Sequence, residues 1–160
     1  MRLWERVLVV ECSPDAVLAQ VLTGVPRKCL LHEANKPEVV KRLVKYCWNS
    51  KGLVDEDPGA AWPRLIREFR NREHLREYGL SVFHDPERGN QLVVLHPRLE
   101  EWILAAAQGA SVPVERYDLP SNSAEFRKIV KLSIDRFEHL VRDLYESRSK
   151  RLLLLAELLR

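Results

Sequence analysis

Apolar residues along this chain fall into two rhythms. In the first, short unbroken runs are closed by polar or turn-forming residues. Val7, Leu8, Val9 and Val10 stand together between Arg6 and Glu11, a pattern that predicts a strand buried on both faces, as in parallel sheets. Lys28–His32, Gly52–Asp55, Leu80–Phe83 and Gln91–Leu95 repeat it in shorter form. In the second rhythm, apolar residues recur at helical spacing. Ser13-Pro14 opens one such stretch, running to about Leu22, with serine and proline suited to a helix start. Lys36-Pro37 opens another, marked by Val39, Val40, Leu43, Val44 and Cys47. Further helices are expected over 61–71, after Pro58-Gly59, and over 98–108, after Pro97.

Strands alternating with helices of about ten residues predict an α/β fold. The expectation is a four- to five-stranded, mostly parallel sheet with helices on both faces. The runs at 80–83 and 91–95 are separated only by the turn-rich segment His84–Asn90, too short for a crossover helix. They are expected as an antiparallel pair at the sheet edge.

Residues 1–110 read as this α/β unit, and 111–160 as a loop followed by a helical extension. Phe126, Ile129, Val130, Ile134, Phe137, Leu140, Val141 and Leu144 form the extension's apolar stripe, and Ser147–Ser149 interrupts it. The last helix carries too many leucines for a free surface, so it packs on the domain, on a protein partner or on a second copy of the chain.

The chain has 160 residues, 46% of them hydrophobic, enough for one domain with a real core. Its net charge of +3 is mild, so the placement of basic residues matters more than their sum. They gather at Arg64–Arg76 and again at Lys128, Lys131, Arg136, Arg142, Arg148, Lys150 and Arg151. Each group reads either as a solvated helix face or as a surface that follows phosphates. Cys12, Cys29 and Cys47 are odd in number and lack CxxC spacing, which argues against a disulfide framework and for a reducing compartment. Cys12 reads as a small buried thiol. No signal-peptide pattern and no bilayer-length apolar run is present, so a cytoplasmic protein without membrane attachment is expected. The absence of G-x-x-x-x-G-K-(S/T) excludes a P-loop ATPase module.

Acidic residues stand where the strands are expected to end. Glu11 closes the first and Asp55 the third, with Asp57 two residues on. Asp85 follows the fourth, and Glu100 and Glu101 open the helix after the fifth. Open parallel sheets collect function at the carboxyl ends of their strands. Converging carboxylates repel unless a cation sits among them. An all-oxygen donor set suits magnesium or manganese. Acids also favour helix N-termini for their own sake, which is the simpler account of Glu101.

These segments carry a resemblance. Val10-Glu11-Cys12-Ser13-Pro14-Asp15 resembles the (L/V)-V-E-G-x-x-D motif of TOPRIM domains of the overcoming-lysogenization-defect type. Leu53-Val54-Asp55-Glu56-Asp57-Pro58-Gly59 looks like their D-x-D motif, and Ala34-Asn35-Lys36 is similar to their lysine-bearing G-G-K turn. Pro97-Arg98-Leu99-Glu100-Glu101-Trp102 resembles the P-x-(I/L)-E-x-W segment of small stand-alone TOPRIM-like proteins. The likeness spans roughly residues 5–108.

The resemblance implies a TOPRIM/Rossmann-like sheet and a Mg²⁺ or Mn²⁺ site. Glu11, Asp15, Asp55, Asp57 and Glu100 would be its ligands or support. Glu11 would move a proton, and Lys36 would meet a scissile phosphate. The implied activity is phosphodiester cleavage of DNA or RNA. The alternative is a metal-binding module that acts through a protein partner. Cys12 and Asn35 stand where the family has glycine, which counts against close backbone approach of a substrate. A response-regulator receiver fits less well, because the first strand ends in one acid and His96-Pro97 stands where a lysine would be. A sugar-nucleotide transferase with D-x-D needs a larger fold. No histidines pair at H-x-x-x-H spacing, and His84 and His96 are candidate neighbours of the metal. Trp48 and Trp102 read as packing residues.

Overall fold

The structure is a computed structural model that describes residues 3–11 and 13–160. Cys12, read above as a small buried thiol, lies outside the described residues. In chain order the elements are β1 (Trp4–Glu5), β2 (Leu8–Val10), α1 (Ser13–Thr23), β3 (Leu30–His32), α2 (Lys36–Tyr46), β4 (Cys47–Trp48) and β5 (Lys51–Asp55). They continue with β6 (Arg70–Leu75), β7 (Leu80–Asp85), β8 (Asn90–Leu95), α3 (Leu99–Gly109), α4 (Ser123–Leu132), α5 (Ile134–Glu146) and α6 (Lys150–Leu159). The fold is α/β, as the alternating pattern predicts.

The main sheet has the order β3-β2-β5-β8-β7-β6. β3, β2, β5 and β8 are mutually parallel, whereas β7 and β6 are antiparallel additions at one edge. β1 and β4 form a separate two-stranded parallel ribbon. Residues 80–85 and 90–95 form the antiparallel pair expected from the short connection, but not at the sheet edge, because β6 pairs with the far side of β7.

The sixth strand is a correction. Residues 61–71 do not form a helix: a 3₁₀ turn at Arg64–Glu68 leads into β6. Phe69 and Ile66 pack on the sheet from there. Arg70, Arg72 and His74 are exposed on an edge strand broken by a register shift, with Asn71 at φ 52°. Such bulges re-aim side chains at sheet edges. Dense basic residues mimic an exposed helix face equally well, so the pattern alone misassigns the segment.

Side chains alternate across the sheet. Leu8, Val10, Leu53, Val93 and Leu95 face a large core shared with α1, α3, α5 and α6. Val7, Val9, Val54, Leu92 and Val94 face a smaller one beneath α2. The C-terminal helices therefore share the sheet's own core. Leu152, Leu155, Ala156 and Leu159 of α6 are buried there, and the Lys51 ammonium donates to the Leu158 carbonyl at 2.6 Å. The leucines that raised the question of a partner are thus directed into this chain's interior. A break at Ser133, beyond the one at Ser147–Ser149, divides α4 from α5. Trp102 is fully buried, with its indole N–H donated to the Tyr78 carbonyl at 2.8 Å, but Trp48 is 44% exposed and is not a core residue. No described helix is long and apolar enough to cross a membrane.

The strand order sets the site. From β2 the chain runs through α1 to β3 on one side, then through α2 to β5 on the other side of β2. The topological switch point therefore lies between β2 and β5. In open α/β sheets the crevice beyond that point is where ligands bind.

Candidate functional site

Glu11 follows β2 directly and Asp55 is the last residue of β5, so the two carboxylates flank the switch point. Glu11 accepts the Lys36 backbone N–H at the start of α2. Burial is the main influence on its carboxyl and raises its pKa. The Lys36 ammonium works against that rise and Asp57 adds to it. Asp55 accepts the Leu99 backbone N–H at the first turn of α3, while its Oδ1 is buried without a hydrogen-bond partner. Burial first, then the negative charges of Glu100, Glu11 and Asp57, push the Asp55 pKa up to about 7. A buried, half-satisfied carboxylate is costly, and such perturbed groups gather at functional sites.

Beyond Asp55 the chain stays paired with the end of β8. Glu56 N–H donates to the Leu95 carbonyl and Asp57 N–H to the Pro97 carbonyl, both at 2.9 Å. Asp57 is held there in the left-handed region at φ 52°. Its carboxylate accepts from Arg98 at 3.0 Å. Glu100, on the first turn of α3, lies 3.6 Å from Arg127 of α4.

Lys36 is only 5% exposed, not the open helix-start lysine that its position allows. Asn35 caps α2 by accepting the Glu38 N–H at 3.0 Å, which fixes where the lysine begins. Its ammonium donates to the Glu56 carbonyl at 2.7 Å and lies 4.1 Å from the Trp62 ring centroid. Burial lowers its pKa, and Asp57, Glu11, Asp55 and Glu56 resist the fall.

The fold thus brings Glu11, Lys36, Asp55, Asp57 and Glu100 to one electrostatically linked rim. Asp15 is 1% exposed in the first turn of α1, and its charge is not among those that perturb Glu11, Lys36 or Asp55. Two expected neighbours lie elsewhere. Because β7 runs antiparallel, its carboxyl end falls at the opposite edge of the sheet. Asp85, bonded to Arg88 at 2.9 Å, and His84, 3.6 Å from Glu73, are therefore remote from the rim. His96 is close, through its contact with Glu56 at 3.2 Å. Sequence reasoning missed Arg98 and Arg127, which pair with the acids, and Trp62, which packs on the Lys36 ammonium. Nothing local in the sequence marks Arg127, since its contact spans two helices.

Among the described residues, no group of three or more His, Cys, Asp or Glu side chains is placed to hold a metal ion. An all-protein cage is therefore not preformed. Magnesium seldom needs one: it keeps several waters and takes one or two carboxylates with a substrate phosphate. The orphaned Asp55 oxygen, with Glu11 across the switch point, fits that mode. Asp57 and Glu100 are engaged by arginines. No family model, curated protein or solved structure matches this chain.

Proposed function

We propose that the chain carries out Mg²⁺- or Mn²⁺-dependent phosphodiester chemistry on nucleic acid, most simply strand cleavage, at the rim formed by Glu11, Lys36, Asp55 and Asp57. The observation that carries this reading is the Asp55 carboxylate. It is buried at the topological switch point with one oxygen unpartnered and a pKa raised to about 7. Among the described residues, Asp57 and Glu100 are ion-paired with Arg98 and Arg127, whereas Asp55 and Glu11 are in no ion pair. The TOPRIM resemblance of the same segments supports the reading independently of the geometry.

Asp55 and Glu11 would hold a divalent cation, which would supply neutralisation of charge on the phosphate and on the leaving oxygen. The chain's own groups do the rest. Burial raises the Glu11 pKa, a shift in the direction that favours a role in taking and giving a proton. Lys36 fixes the Asp55–Asp57 turn through the Glu56 carbonyl and offers a cation to a phosphate oxygen. The test is cleavage of supercoiled plasmid and labelled RNA with magnesium, manganese or chelator, comparing wild type with Asp55→Asn. Metal-dependent cleavage that vanishes in a folded Asp55→Asn variant is the expected result.

A second reading has its own observation. The ion pairs Asp57–Arg98 and Glu100–Arg127 occupy two of the expected ligands. That is the arrangement of a non-catalytic TOPRIM-like module that binds metal weakly and acts through a partner. Metal binding by wild type without cleavage of either substrate would favour it.

A further inference from the structure

Beside the acidic rim, on the α2 face of the sheet, lies a second cluster of opposite character. A cavity of about 310 Å³ is lined by Glu56, Arg72, His74, Arg76, Ser81 and His96, with Gly79 and Leu80. β6 ends, β7 begins and β8 ends at this edge, so the cavity shares the rim on which β5 delivers Asp55. Glu56, which belongs to its wall, is the next residue in the chain.

The lining is internally organised. His96 Nδ1 lies 3.2 Å from the Glu56 carboxylate, and its Nε2 lies 2.6 Å from the Ser81 hydroxyl. His74 Nδ1 is 3.5 Å from the same hydroxyl. A carboxylate, an imidazole and a hydroxyl in line resemble a nucleophilic triad. Ser81, however, is 1% exposed in a strand paired on both sides, so it cannot reach a substrate. The chain of bonds instead holds the His96 ring in place as part of the wall, and Glu56 is taken up by that imidazole.

The arginines remain. Arg72 lies over the Phe83 ring, 5.0 Å from its centroid, and Arg76 begins the turn after β6. Neither guanidinium has a carboxylate partner among the described residues, in a chain whose other site arginines are paired. Two unpaired guanidiniums with imidazoles around a polar cavity form a site for a tetrahedral oxyanion.

We propose that this cavity binds a backbone phosphate of the nucleic-acid strand whose neighbouring phosphodiester lies at the Asp55 rim. The inference rests on the nuclease reading for the identity of the strand, and on the Arg72–Arg76 cavity alone for the phosphate. It assigns Arg72 and Arg76 to one phosphate contact rather than to a general solvated face.

The test is binding of a fluorescein-labelled single-stranded 12-mer by the full chain in chelator, read as anisotropy across a salt series. Three proteins are compared with wild type: Arg72→Gln/Arg76→Gln, the exposed-charge control Lys128→Gln/Lys131→Gln, and Asp55→Asn. The pocket variant is expected to lose about 10-fold or more in affinity, as for loss of charge-assisted phosphate bonds. Its salt slope should fall by roughly 0.7 for each phosphate contact removed. The control should change by less than about 3-fold, and Asp55→Asn should bind no more weakly than wild type. Equal losses in pocket and control variants would overturn the proposal, as would unchanged binding by the pocket variant or no binding by wild type. Saturable binding of inorganic phosphate without binding of the 12-mer would also overturn it, by assigning the cavity to free phosphate. Pocket-dependent binding by a protein that cleaves nothing would sustain this inference and end the nuclease reading. Asp55-dependent cleavage unaffected by the pocket variant would do the reverse.

Discussion

Asp55→Asn should make the protein more stable while removing its chemistry. The carboxylate's pKa stands at about 7 against an ordinary 3.8. At about 1.36 kcal/mol per unit, full ionisation in the fold costs about 4 kcal/mol relative to the unfolded chain. The sign follows from the direction of the shift. With the folded pKa raised, the contribution to stability is whole below pH 3.8 and is lost as pH rises through 7. The isosteric amide never ionises and keeps an oxygen for the Leu99 N–H. Glu11, Glu100 and Asp57 still repel one another, so roughly 2–4 kcal/mol should be returned at pH 8 and close to nothing at pH 4. For a chain of this length that is a rise in Tm of about 5–12 °C. Urea unfolding followed by far-UV circular dichroism, in chelator from pH 4 to 8.5, measures the difference between the two proteins at each pH. Magnesium should then stabilise wild type at pH 8, by an amount set by its concentration relative to Kd, and leave the variant unmoved. A pH-independent difference, or a variant less stable than wild type at pH 8, would refute the reasoning.

Further predictions concern the frame of the site. Asn90 is buried, with its amide donating to the Leu43 and Cys47 carbonyls and its oxygen accepting the Ser50 N–H; Asn90→Ala orphans all three and should cost about 2–4 kcal/mol in urea unfolding. Gly52→Ala places a Cβ 2.6 Å from Leu43 Cδ1, between α2 and β5, and should lose about 1–3 kcal/mol by overpacking. Tyr117 donates to Asp143 at 2.6 Å, and burial followed by that bond raises its pKa to about 12. Its folded form keeps its proton longer than the unfolded one, so the stability it contributes should fade above about pH 10. Absorbance titration should show a tyrosine ionising near 12 that is missing in Tyr117→Phe.

What the sequence made legible follows the strength of its periodicities. The runs at 7–10, 52–55 and 91–95 are buried on both faces because parallel strands between two helical layers have no wet side, and they read cleanly. The acids Glu11 and Asp55 were readable as a pair for the same reason: each closes such a run. β6 was not readable. An edge strand with a bulge and four charged or imidazole side chains has neither rhythm, and its partners on β7 are known only after folding. Remoteness hid the rest. Arg127 reaches Glu100 only because α4 crosses α3, and Trp62 meets Lys36 only because the 3₁₀ segment folds back over α2. Asp85 misled in the opposite sense, since a strand's carboxyl end marks the functional rim only if the strand runs parallel.

The two readings of the site turn on how the acids are neutralised before any metal arrives. Lys36 is buried against Trp62 and tied to the Glu56 carbonyl, so it is a fixed counter-charge rather than a mobile one. Arg98 and Arg127 hold Asp57 and Glu100 through side chains that are themselves partly exposed. Partly exposed pairs of this kind are worth at most about 1 kcal/mol each. On the proposed reading, Asp57 would therefore leave Arg98 at small cost for a divalent cation that Asp55 and Glu11 would hold. Lys36 cannot be displaced without exposing the Glu56 carbonyl it satisfies. The permanent cation orders the turn, and the exchangeable ones pair with Asp57 and Glu100. Arg98→Gln should then tighten magnesium binding, whereas Lys36→Gln should weaken the fold. Calorimetric titration of Arg98→Gln with magnesium, set beside its thermal unfolding, separates the two effects. If removing the Arg98 charge leaves metal affinity unchanged, Asp57 is a structural acid and the metal rests on Asp55 and Glu11 alone.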